Sequence, residues 1–272
     1  MKKLVVTAAL VALALVPLRA DLTFVQTMTM EGPMAAMAGG QLPKITMRIK
    51  GTKARSDIEM PTLNLISIAD VAQKQVIILN SVTKTAQVIT PESAAAGSKL
   101  EMPSLDDVTF KPTGKSQTID SQVCEEHQFA MTLNMADMGA AGGQLPPEAV
   151  EMMKDVKMVM NGSIWIARNA PGVEEYTAYM KSAMQSGAFL ALSGMNPGQS
   201  GGMDKLMAAA SSAPGLPYLS EITMTMQGTG PMVEAMSKMG PMKMIQKMSS
   251  VSTESISDDL FKIPEGYTIE KK

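Results

Sequence analysis

Two kinds of side chain in this sequence could carry chemistry: a lone histidine close to a lone cysteine, and a large number of methionines. His127 and Cys124 stand three apart in QVCEEHQFAM, whose alternation reads as a strand. They therefore project to opposite faces and cannot grip one metal ion without a bulge. Glu125 and His127 share a face, but two ligands are too few for a structural zinc. No nucleophile motif accompanies His127, whose face also carries Phe129 and Met131, so it reads as a lining side chain and not a general base. AGGQLP at 38–43 lacks the lysine and the strand-to-helix context of a phosphate cradle. No catalytic residue, metal site or cofactor is expected, and the chain reads as non-enzymatic.

Methionine is the compositional anomaly, at 28 of 272 residues, while aromatics make up 4%. Met-x-Met occurs at 28/30, 158/160, 224/226 and 242/244. On a strand the two thioethers of such a pair point to the same side, roughly 6.5–7 Å apart at the backbone. Soft thioethers select Cu(I), whereas as unbranched apolar groups they also serve as adaptable filler. The strand methionines alternate as core residues do and read as lining. Loop methionines such as Met34, Met138 and Met232 read as a lid over a cavity or as a copper-collecting surface.

The elements that must position these residues are strands. Lys44 to Thr90 is the organising stretch. In KITMRIK, Ile45, Met47 and Ile49 oppose Lys44, Thr46, Arg48 and Lys50, the period-2 pattern of one buried and one wet face. KARSDIEM, LNLISIA, QVIILN and TAQVIT follow after short turns, which predicts a five-stranded antiparallel meander. Further strands are expected at 21–31, 107–120, 122–135, 156–168, 217–227 and 244–257. The best helix is 173–186, where Val173, Tyr176, Tyr179, Met180, Ala183 and Met184 recur at helical spacing, with Glu174 and Glu175 in the first turn. A helical turn is expected in PPEAVEMMKD at 146–155 and a marginal helix at 203–211. Loops rich in Met, Gly and Ala are expected at 32–43, 137–155, 187–216 and 230–242.

Residues 1–20 read as a signal peptide: Lys2 and Lys3, an apolar run from Leu4 to Val16, then a cleavage point near Ala20. A retained anchor is the alternative. Cleavage leaves residues 21–272 as a single mildly acidic domain in the periplasm or outside the cell. Unclustered charge argues against nucleic acid. With one cysteine, stability must come from the core and not from an internal disulfide.

Several short segments together carry a likeness. They are the turn into a strand at Gly51–Arg55, IAD…KQVIILN…KTAQVI at 68–89, IWIAR at 164–168 before a helix, and LFKIPEGY at 260–267. With the leader, they resemble a family of extracytoplasmic proteins of unknown function with a lipoprotein-carrier-like (Lol-type) fold. That resemblance implies a mainly β, α+β fold: a curved antiparallel half-barrel whose concave face is covered by helices and holds apolar ligands. The Met/Gly/Ala loops and scarce aromatics depart from the carriers.

The expected function is therefore binding or carriage of an apolar ligand, an acyl chain or lipid, in a Met-rich concave pocket. The expected binding residues are Phe24, Met28, Met30, Met47, Phe129, Met131, Met224 and Met226, all on inward faces. The expected partners are an apolar small molecule or lipid, and envelope proteins. The alternatives are a Cu(I)-binding periplasmic protein using the loop methionines, and an envelope structural or stress protein without a small ligand.

Overall fold

Alternating sequence and tight turns produce the meander as expected: β2 (Lys44–Lys50), β3 (Lys53–Glu59), β4 (Asn64–Asp70), β5 (Gln75–Asn80) and β6 (Thr85–Ile89), each antiparallel to the last. The structure is a computed structural model and describes residues 21–32, 42–60, 64–93, 105–136, 153–186, 208, 213–230, 233–234, 237–238 and 240–270. The leader, most of the four Met/Gly/Ala loops and most of the segments at 146–155 and 203–211 lie outside the described residues.

The other strands are β1 (Leu22–Glu31), β7 (Leu105–Ile119), β8 (Gln122–Asn134), β9 (Lys157–Ala167), β10 (Leu216–Gln227), β11 (Met242–Ser252) and β12 (Thr268–Glu270). Among the described residues they form one mainly antiparallel twelve-stranded sheet, in the order β12-β6-β5-β4-β3-β2-β1-β11-β10-β9-β8-β7. The first strand thus lies against the last long one, β1 against β11. The short β12 is the exception to the pattern, pairing parallel to β6. The longest described helix is α1 (Val173–Gln185); a four-residue 3-10 turn spans Asp258–Phe261, and short helical stretches stand at 91–93 and 135–136 among others. No described helix is long and apolar enough to cross a membrane.

Side chains directly opposite one another in an antiparallel ladder share a face, so the register assigns each residue to one side. On the front face, Leu22, Phe24, Ile49 and Ala54 are buried beneath Val173, Tyr176 and Tyr179 of α1. Gly172, just ahead of α1, has φ 82, and a Cβ there would run into the Leu22 side chain. Glycine is needed on both counts.

The back face corrects the expectation of a wet side. Ile68, Ile77, Leu79 and Ala86 are buried on it against Ile256 and Phe261 of the C-terminal segment, with Leu260, Ile263 and Tyr267 packed around them. Arg48 and Arg55, on this same face, look solvated in the sequence but share the Asp57 carboxylate, which bridges both and offsets part of their charge. Arg55 Nη1 donates to Leu260 O at 2.8 Å and Lys50 Nζ to Ile256 O at 2.6 Å, tying the C-terminal segment down. The strand expected at 244–257 accordingly starts at Met242 and stops at Ser252. Beyond it the chain leaves the ladder, so that Ile256 can be buried and its amide can bond Asp21 Oδ2 at 2.6 Å.

Candidate functional site

The β9–α1 connection is short, so the helix folds back across the strand that precedes it. The Ile164-x-Ile166 pair of β9 and Phe110 of β7 then face α1 across a cavity of about 560 Å³. Two adjacent rows of α1 line it: Tyr176, Met180 and Met184, and beside them Thr177, Lys181 and Gln185. Ala213, Pro214, Gly215 and Pro217 complete the wall where β10 begins. The lining is apolar on the sheet side and along one helical row, while the other row supplies an amide, a hydroxyl and an ammonium. Among the described residues, the Thr177 hydroxyl is the one buried side-chain polar atom without a hydrogen-bond partner.

Burial also governs the titrating groups around the helix. It pushes the Tyr176 phenol above its usual range, and lifts Tyr179 to about 12, with Asp70 adding to the effect. His127 is 2% exposed; its ring stacks on Phe110 with centroids 5.1 Å apart. Its Nδ1 lies 3.4 Å from the Glu125 backbone carbonyl, and no polar side chain is hydrogen-bonded to it among the described residues. The register of β8 on β9 runs unbroken from Cys124↔Ala167 to Asn134↔Lys157, so Cys124 and His127 do project oppositely. The Cys124 thiol is fully buried, and burial raises its pKa. Among the described residues no cluster of histidine, cysteine and carboxylate side chains could hold a metal ion.

A second hollow, about 570 Å³, crosses the back of β7–β11 and is polar, with Lys111, Glu126, Gln128, Ser163, Glu221 and Lys243 in its wall. Glu126 is held below the usual carboxylate range first by the Thr113 hydroxyl at 2.7 Å and then by Lys115 at 3.1 Å. Lys243 pairs with Glu221 at 3.0 Å.

The eight residues singled out in the sequence all fall on the front face. The register runs Phe24↔Met47, then Met30↔Met244↔Ile222↔Gly162↔Phe129↔Phe110, then Met242↔Met224↔Met160↔Met131, with Met226↔Met158 beyond. Met28 joins them by parity along β1. Yet none of the eight lines the cavity under α1. Phe24 and Met47 belong to the packed core against α1, Phe129 is buried, and the other methionines are half-buried toward one end of β1, β8 and β10. Sequence reasoning missed Phe110, Ile164 and Ile166. The signal for the two isoleucines was present in IWIAR, where alternation aligns them just before a short link into an amphipathic helix. The loop methionines Met34, Met138 and Met232 lie outside the described residues.

No family model matches the chain, and no curated protein matches it. Among solved structures, the chain is similar to an uncharacterised conserved protein from Thermus thermophilus, with 8% identity and a TM-score of 0.36 over 94% of this chain and 92% of that one. It is also similar to PNGF-II, with 10% identity and a TM-score of 0.36 over 93% of this chain and 32% of that one.

Proposed function

We propose that the protein is a non-enzymatic, extracytoplasmic binding or carrier protein that holds an acyl chain or similar lipid between α1 and the front of the sheet. The observation that carries this reading is the cavity itself. At about 560 Å³ it falls within the roughly 300–1,000 Å³ of small-ligand sites, and its mostly apolar lining with a few polar groups is of the same kind. About fifteen buried methylenes would supply about 12 kcal/mol, which leaves the roughly 8 kcal/mol of micromolar binding after association costs of about 4 kcal/mol. The chain would lie along Phe110, Ile164, Ile166, Met180 and Met184, with its polar end toward Thr177 and Lys181.

This reading takes the sheet as a half-barrel curled around α1, in line with the resemblance to lipoprotein-carrier-like proteins. Distance supports the curl. β1 and β7 are five strand positions apart, about 24 Å across a flat sheet, whereas a helix with its side chains is about 10–12 Å wide. Nevertheless Tyr176 meets Phe24 of β1 and shares a cavity wall with Phe110 of β7.

The test is titration with a fluorescent fatty acid, 11-(dansylamino)undecanoic acid, alongside an Ile164→Trp variant that fills the cavity. Saturable micromolar binding that is weakened at least tenfold in the filled variant supports the reading. Binding that is absent, or equal in both proteins, rejects it.

A further inference from the structure

The front-face methionines that the cavity does not use form an ordered array of their own. Met131, Met160, Met224 and Met242 come from four consecutive strands, β8, β9, β10 and β11, and sit directly opposite one another in register. Met226↔Met158 forms the neighbouring rung. These side chains are half-buried, whereas Met248, on the same face further along β11, is fully buried. They are therefore not core filler in the sense that Met248 is.

We infer that this rung of thioethers is a binding site for a soft monovalent cation, Cu(I) or its analogue Ag(I). Cβ atoms directly opposite in an antiparallel ladder lie about 4.5–5.5 Å apart. Unbranched side chains with three rotatable bonds reach across that gap readily, so three sulfurs from adjacent strands can turn onto one ion. Thioether donors are soft, which favours Cu(I) and leaves harder ions such as Mg²⁺ or Ca²⁺ without a suitable ligand. The rung contains no carboxylate, imidazole or thiolate: His127 is two rungs away and Cys124 projects from the opposite face. The site is thus distinct from the acyl cavity, and also from the loop methionines as a copper surface. Thioethers carry no proton to release, so affinity should be independent of pH where a histidine or cysteine site would weaken on acidification.

The experiment is anaerobic titration of the full chain with Cu(I) against the chromogenic chelator bicinchoninate, at pH 7.5 and pH 5. The wild-type protein should withdraw one equivalent at both pH values. Met160→Leu/Met224→Leu, which keeps the apolar volume, should weaken binding by at least the roughly 10- to 100-fold seen when a supporting partner of a metal ligand is lost. No withdrawal of Cu(I), a marked loss of affinity at pH 5, or an unaffected double variant each overturns the inference. Should the variant fail to fold, copper K-edge X-ray absorption of the loaded wild-type protein decides instead. Sulfur as the sole near neighbour supports the rung, and a nitrogen or oxygen neighbour overturns it.

Discussion

Tyr176 stands edge-on to Phe24, with ring centroids 6.2 Å apart and planes at 69°. This contact pins α1 to β1, and with it the roof of the cavity. Phe24 is 2% exposed, so Phe24→Ala should destabilise the fold by about 3–5 kcal/mol, of which the ring pair accounts for roughly 1 kcal/mol. Urea midpoints at constant slope measure this. A loss under about 1 kcal/mol would mean that α1 is not anchored there.

The phenol of Tyr179 links the same helix to pH. Its pKa is pushed up to about 12 in the folded chain, against about 10 when unfolded. Between those values the folded state keeps a proton that the unfolded state has lost, so stability is full below pH ~10 and falls as pH rises toward ~12. Tyr179→Phe should flatten that part of the stability profile, measured by urea unfolding at pH 9 and pH 11. Identical pH slopes in both proteins would contradict the burial of this hydroxyl.

Phe261 closes the back-face core. Phe261→Ala should cost about 3–5 kcal/mol and release the segment after β11, exposing Ile68 and Leu79 to solvent. Hydrogen exchange at the amides of β4 and β5 would report this as lost protection. Unchanged exchange would place the anchoring in Arg55 and Lys50 instead.

At Gly162 a Cβ would run into the carbonyl of Glu221 on the neighbouring strand. Gly162→Ala should therefore lower stability by roughly 1–3 kcal/mol through forced separation of β9 and β10, read as a fall in melting temperature. An unaltered melting temperature would show that the two strands can part freely.

Cys124 is fully buried with its thiol pKa raised, so the native protein should react with Ellman's reagent at pH 8 only as it opens. Guanidinium should release the full thiol signal within seconds. Prompt reaction of the folded chain would place Cys124 at the surface.

Much of this architecture was legible along the chain. The meander between Lys44 and Ile89 follows from period-2 alternation broken by turns, and Phe24, Met47, Met131 and Met224 share a face because parity along regular strands is a local property. The cavity was not legible to the same degree. Phe110 and Ile164 come together with Met180 only because β7, β9 and α1 are packed in three dimensions. The back-face core was hidden for a related reason: Arg48, Arg55 and Asp57 have the hydropathy of a solvated surface, and their pairing through the shared Asp57 carboxylate, with Arg55 also donating to Leu260 O, lets the C-terminal segment lie over them.

Among the described residues, the sequence by itself determined which long segments are strands, that Val173–Gln185 is a helix, and which side chains point the same way, since these depend on neighbours a few residues apart. The tertiary structure alone decided that β1 pairs with β11, that residues 256–267 cover the back of the meander, and that the hollow lies under α1 while the methionines line up beside it. Those outcomes join residues far apart in the chain, such as Lys50 and Ile256. They are set by strand order and bulges, which hydrophobic patterning does not encode.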